Sequence, residues 1–147
     1  MRTLSTFVIV ASALAAGCGS SSDTPTAPTD YGNSYAITGT VPAPIDGVPQ
    51  VRTHGFLLSA DSSVQVTLTA ASETMADGTT LATVALGVGL GTMTNGVCTI
   101  VPGAATSTPS GTNVQLVWAM PQGTDCVQLS DVTTQEGPVA YTLSIKY

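Results

Sequence analysis

The chain has 147 residues, of which 43% are hydrophobic and only 8% charged, and a formal net charge of −6. Its three cations, Arg2, Arg52 and Lys146, are too few to build the basic patch that phosphate neutralisation requires, which excludes nucleic acid as a partner. Direct electrostatic attraction to an anionic bilayer is excluded on the same ground. Low charge joined to regular apolar alternation fits one folded, strand-rich domain behind an export segment.

The chain opens Met1-Arg2-Thr3 and continues with a largely apolar run over residues 4–14 and then Ala15-Ala16-Gly17-Cys18. One positive charge, a short apolar core and small residues before a cut site make a secretory signal. The run is about half of the ~20 residues a membrane-spanning helix needs. Leu14-Ala15-Ala16-Gly17-Cys18 resembles the bacterial lipobox. The resemblance implies cleavage after residue 17, a diacylglycerol on the Cys18 thiol and a fatty acyl group, such as palmitate, on its freed amine. The usual lipobox has Leu three residues before Cys; here Ala15 stands there, with Leu14 one position further back.

The next residues, Gly19-Ser20-Ser21-Ser22-Asp23-Thr24-Pro25-Thr26-Ala27-Pro28-Thr29-Asp30, carry no large apolar side chain. They cannot join a core. As a flexible tether they would span roughly 20 Å. The expected organisation is a signal peptide over residues 1–17, a lipidated N-terminus and linker over 18–34, and a domain over 35–147. The expected partner is the membrane, reached through lipid on Cys18, because two or three acyl chains anchor stably where one does not. Gly19 in place of Asp after the cysteine implies, by resemblance to Gram-negative sorting, the outer membrane. Without Arg2 the mature chain keeps two cations against nine carboxylates, a net −7.

From Tyr35 onward the apolar period is two. Tyr35, Ile37, Gly39 and Val41 alternate with small or polar residues, as do Val64, Val66, Leu68 and Ala70. Ala82, Val84, Leu86, Val88 and Leu90 share one face of a third expected strand, with Gly87, Gly89 and Gly91 on the other. Val114, Leu116, Trp118 and Met120 form a fourth, and Val139, Tyr141, Leu143, Ile145 and Tyr147 a fifth. Weaker strands are expected over 51–59, 97–101 and 126–130. Turn sequences separate them: Asp46-Gly47, Asp77-Gly78, Asn95-Gly96, Pro121-Gln122-Gly123 and Gly137-Pro138. About eight short strands predict an all-β fold, a two-sheet antiparallel β-sandwich.

Cys98 and Cys126 are the two remaining cysteines. In an oxidising compartment an even pair is expected to form a disulfide, which at this spacing stabilises by ~3–4 kcal/mol. The strand at His54-Gly55-Phe56-Leu57-Leu58, the run Val84-Ala85-Leu86-Gly87-Val88-Gly89-Leu90-Gly91 and the segment Gly123-Thr124-Asp125-Cys126-Val127 together resemble bacterial pre-peptidase C-terminal domains. These are jelly-roll-like sandwiches appended to secreted hydrolases. The resemblance covers most of residues 35–147 and implies an accessory that binds, spaces or assists secretion. Where such domains commonly have Tyr before the second cysteine, this chain has Asp125.

Chemistry is sparse. His54 is the single histidine, and no Gly-x-Ser-x-Gly elbow occurs. No metal site and no cofactor are expected, since zinc would have only His54 beyond the cysteines and no calcium-loop motif occurs. Asp46, Asp61, Glu73, Asp77, Asp125, Asp131 and Glu136 are scattered, as on a solvated surface. Asp125 and Asp131 are the best acid–base pair for a carboxylate-dependent hydrolase, the weakest of the three functional readings. Trp118 has the one ring large enough to stack broadly on a sugar, but its apolar face favours the core. The smooth face at Gly87 and Gly89 would admit a ligand, although close packing explains it as well. The leading expectation is a tethered, non-catalytic envelope module with a binding or structural role. The alternative is a carbohydrate- or peptide-binding accessory module using Trp118 or the glycine face at Gly87 and Gly89, and an envelope protein or glycan is the expected kind of partner beyond the membrane.

Overall fold

The computed structural model describes residues 32–147 apart from 133 and 134. The expected signal, Cys18 and nearly all of the linker lie outside the described residues. Nine strands follow in order: β1 (Ser34–Val41), β2 (Val51–Leu58), β3 (Ser62–Thr74), β4 (Thr80–Ala82), β5 (Ala85–Thr94), β6 (Val97–Pro109), β7 (Leu116–Met120), β8 (Gly123–Ser130) and β9 (Val139–Lys146). They form two antiparallel sheets. One runs β1-β9-β3-β4, with β7 also on β3, and the other runs β2-β8-β5-β6. The pairs β1·β9, β2·β8, β3·β7 and β5·β6 nest inside one another. That is a long hairpin wound into two sheets, the jelly roll that the resemblance implies.

Two-residue hairpin turns need positive φ at both central positions because their twist must match that of the strands. Asp46-Gly47 supplies φ of 52° and 73°, and Asn95-Gly96 supplies 52° and 78°. Asp77-Gly78 works differently: Asp77 Oδ1 accepts the Thr79 N–H at 2.8 Å, a side-chain turn.

Alternate residues of both sheets meet inside. Val64, Val66, Leu68, Leu143 and Ile145 from the first sheet face Leu58, Leu86, Leu90, Val127 and Leu129 from the second, and all are buried. Truncating any one of these leucines to Ala would cost about 2–5 kcal/mol, the lost transfer energy plus the cavity.

Three departures from the expected strands have local causes. The expected strand from Ala82 breaks at Thr83, whose φ is +65°. There the N–H groups of Thr83 and Val84 both donate to Ala71 O. Val114 is exposed, not core-facing, and β7 starts only at Leu116. Gln115 instead spends its side chain on a bulge of β3, accepting from Leu68 N–H at 2.7 Å through Oε1. Finally, β6 runs to Pro109 instead of stopping near Val101. A bulge between Gly89 and Gly91 of β5 absorbs extra residues of β6 around Gly103, whose φ is +85°.

The two open sides of the sandwich are closed in the same way, by an aromatic ring lying on a glycine. On one side Gly39 pairs with Tyr141, and a Cβ at Gly39 would come within 2.5 Å of the Tyr141 hydroxyl. Tyr141 thereby crosses β1 and meets His54 Nε2 on the opposite sheet at 2.5 Å. Arg52 Nε reinforces that side by donating to Thr40 O at 2.9 Å. On the other side Trp118 lies on Gly103, where a Cβ would sit 3.2 Å from its ring. Bare glycine backbone leaves room for a ring to cover it, which recovers apolar contact that the glycine itself lacks.

Candidate functional site

Cys98 and Cys126 stand at bonding distance, 2.03 Å between sulfurs and 5.9 Å between Cα atoms. They belong to β6 and β8, which flank β5 on opposite sides. The tip of β6 therefore folds over β5, and the glycine face explains how. A Cβ at Gly91 would overlap the backbone of Thr99, one at Gly89 would come within 3.0 Å of Ile100 Cδ1, and one at Gly87 would overlap Ser130 Oγ. The smooth face at Gly87 and Gly89 is thus covered by the chain's own atoms. Trp118 is half-buried and packs against the core cluster.

The expected solvated acids need correction. Glu73, Asp125 and Asp131 are all buried. Glu73 faces the loop before β9, where Oε1 accepts the N–H of Glu136 at 2.5 Å and of Gly137 at 2.7 Å. A carboxylate there satisfies two backbone donors that no strand reaches. Asp125 and Asp131 stand six residues apart along β8 and its end. At about 3.3 Å per residue that separates them by roughly 20 Å. The two carboxyls of a glycosidase pair lie within roughly 10 Å of each other, so these two do not form one. Among the described residues, no three His, Cys, Asp or Glu side chains are grouped to hold a metal ion.

His54 is committed to the fold. Burial, and then the Arg52 charge, hold its imidazole below the ordinary range. Burial holds the Tyr141 phenol above its own, partly offset by Arg52. A neutral ring and a neutral phenol sharing one hydrogen bond make a structural link between sheets.

The described surface does carry a polar cleft, at the end of the sandwich where Gly32 leads into β1. It measures about 270 Å³ and is lined by Gly32, Asn33, residues 59–63 and Tyr147. Backbone pairing between Asn33 and Tyr147, 3.0 Å in both directions, fixes one wall. The β2–β3 turn forms the other. Asp61 is held there by Gln122 N–H donating to Oδ1 at 2.7 Å, and Ser62 Oγ donates to Ala60 O at 3.1 Å. The Tyr147 ring is stacked on Phe56 at 5.7 Å and meets Tyr35 edge-on at 6.1 Å.

This end also holds unpaired polar groups. Ser63, 3% exposed, lines the cleft, and its Oγ has no hydrogen-bond partner among the described residues. The Tyr35 hydroxyl and Asp125 Oδ2 are likewise buried without a partner there. Burial, with Tyr147 second, pushes the Tyr35 phenol up, and burial pushes the Asp125 carboxyl up. Asp125 is paired with Phe56, the ring on which Tyr147 stacks. None of the residues expected to bind a ligand, Trp118, Gly87 and Gly89, lines the cleft. A sequence signal for it exists in the short polar run Ser59-Ala60-Asp61-Ser62-Ser63 between two strands.

Fold and surface together define a two-sheet jelly-roll domain with a polar cleft beside its N-terminal strand. No protein-family model matches the chain, and no curated protein matches it in sequence.

Proposed function

We propose that this chain is an exported bacterial lipoprotein, a lipid-anchored jelly-roll module with a binding or structural role at the cell envelope and no catalytic role. The observation that carries the reading is the succession Leu14-Ala15-Ala16-Gly17-Cys18, a polar linker and an all-β domain that starts at Ser34. In it, residues 1–17 are the signal, Cys18 bears the lipid, the linker runs to 34, and the domain fills 35–147. Lipid on Cys18 is the membrane contact, and Gly19 favours the outer membrane. Two features support a non-catalytic role: the one imidazole is engaged with Tyr141, and Asp125 near the start of β8 is six residues from Asp131, just past its end. The resemblance to pre-peptidase C-terminal domains fits the same accessory role.

The polar cleft favours, as a second reading, a module that binds a carbohydrate or peptide. The anchor is tested by growing cells with labelled palmitate and analysing the mature N-terminus by mass spectrometry. Wild-type protein should start at acylated Cys18 and fractionate with the outer membrane. Cys18→Ser should take up no label; label on that variant would overturn the anchor.

A further inference from the structure

We infer that the cleft beside β1 is a binding site for a neutral, hexose-sized carbohydrate ring. The inference rests on reading the module as one with a binding role, and it names the ligand class. Volume comes first. About 270 Å³ falls just below the ~300–1,000 Å³ that drug-sized ligands fill, so the cleft takes a single ring.

Chemistry narrows the class. The lining supplies a carboxylate, an amide, three hydroxyls and an aromatic ring: Asp61, Asn33, Ser59, Ser62, Ser63 and Tyr147. Serine and asparagine side chains both donate and accept, which matches the alternating hydroxyls of a sugar. A Tyr ring offers an apolar surface to the C–H face of a pyranose. No lining residue is cationic. The one lining charge is negative, in a chain whose net charge is already −6. A carboxylated or phosphorylated ligand would therefore be repelled, whereas a neutral polyol would not.

The decisive group is Ser63. A buried hydroxyl without a partner destabilises a protein by about 1–3 kcal/mol. At the wall of a cleft that cost is recovered when a ligand hydroxyl completes the bond. Asp61 adds an exposed acceptor at the rim: Gln122 N–H occupies Oδ1, and Oδ2 is positioned to accept from a ligand in place of water.

The test uses the full mature chain in calorimetric titrations with glucose, N-acetylglucosamine and glucuronic acid, alongside thermal melts. One of the neutral sugars should bind saturably in the millimolar range, and glucuronic acid should bind at least about tenfold more weakly. Asp61→Ala should weaken the neutral sugar about tenfold. Ser63→Ala should also weaken it, while melting no lower than wild type, because it removes a buried polar atom that has no partner among the described residues. A Ser63→Ala variant that melts lower would show the hydroxyl already paired and would overturn the assignment. So would flat titrations with both neutral sugars, or binding that neither variant alters. These outcomes separate from the anchor reading. Flat titrations with lipid on Cys18 overturn the ligand class alone, whereas saturable sugar binding without lipid supports it and overturns the anchor.

Discussion

Asp125→Asn should raise the stability of this domain at neutral pH and leave it nearly unchanged in acid. Asp125 is 1% exposed, faces the interior beside Phe56, and has no partner for Oδ2 among the described residues. Burial raises its pKa above the ordinary 3.8. The sign follows from proton linkage. A carboxyl raised in the folded state binds its proton more tightly there than in the unfolded chain. Its contribution is complete below pH 3.8 and is lost as pH rises through the folded value. Each pH unit in that window costs about 1.4 kcal/mol. Burying an unpaired charged group costs more than the ~1–3 kcal/mol of a neutral one, so a loss of about 2 kcal/mol at pH 7 is a modest expectation. Asparagine has nearly the same shape and does not titrate. The variant should therefore melt roughly 8 °C above wild type at pH 7, at about 4 °C per kcal/mol for a domain of this size. Circular-dichroism melts of both proteins at pH 3.5, 5 and 7, buffered at equal ionic strength, would measure it. A difference that does not change with pH, or an Asn variant that is less stable at pH 7, would refute the reasoning by showing the carboxylate to be paired.

Further outcomes follow from the packing. Gly91→Ala should destabilise far more than Gly89→Ala, because its methyl meets the Thr99 backbone whereas the other meets the flexible end of Ile100; urea unfolding should separate them by at least ~1 kcal/mol. The double variant Cys98→Ser, Cys126→Ser should lose about 3.5 kcal/mol in the same assay, the closure entropy of its loop; a loss below about 1 kcal/mol would mean the fold restrains the β6 tip without the bond. Tyr141→Phe should cost about 1 kcal/mol by removing the bridge to His54. His54 has a lowered pKa, so its contribution is intact above 6.5 and is lost as pH falls through the folded value; replacing it with Gln should flatten the acid limb of the stability curve below pH 6.5, and an unchanged limb would refute the assignment.

Most of the sandwich was legible in the sequence because its strands are half-buried, so a period of two records the core face residue by residue. The five strongest strands and the Asp46-Gly47 and Asn95-Gly96 turns were readable for that reason. The far half of β6 was not: Gly103, Ala104 and Ala105 are small, and only Ala104 reaches the core. Val114 failed because periodicity cannot see Gln115 spending its side chain on the Leu68 backbone. The acids failed for a related reason. Whether Glu73 is solvated or buried depends on backbone donors 63 and 64 residues away, and no local pattern reports that. The cleft escaped because its walls come from the start of β1, the β2–β3 turn and the end of β9. Only the fold gathers those segments, and the polar run at residues 59–63 looks like any other turn.

The placement of polar groups bears on what the cleft end is for. At the far end of the sandwich a buried carboxylate is engaged: Glu73 Oε1 accepts the N–H groups of Glu136 and Gly137. The sides are closed economically, with Tyr141 on Gly39 and Trp118 on Gly103. At the cleft end, Ser63 Oγ, the Tyr35 hydroxyl and Asp125 Oδ2 are buried and unpaired among the described residues. Alanine, phenylalanine and asparagine would replace them with little change of shape, so packing alone does not call for them. Gln135 Oε1, in the loop before β9, is also buried without a partner among the described residues, and leaving any such group open gains nothing in stability. At Ser63, the one of the three that lines the cleft, this leaves hydrogen-bonding capacity in a rigid frame, so binding need not order that side chain. Ser63 lines the cleft, Tyr35 buttresses Tyr147, and Asp125 lies behind Phe56. The three substitutions therefore should divide: Ser63→Ala should change binding and Asp125→Asn only stability. Tyr35→Phe should raise stability slightly and leave sugar affinity within about twofold, since its hydroxyl supports no contact to the ring that lines the site.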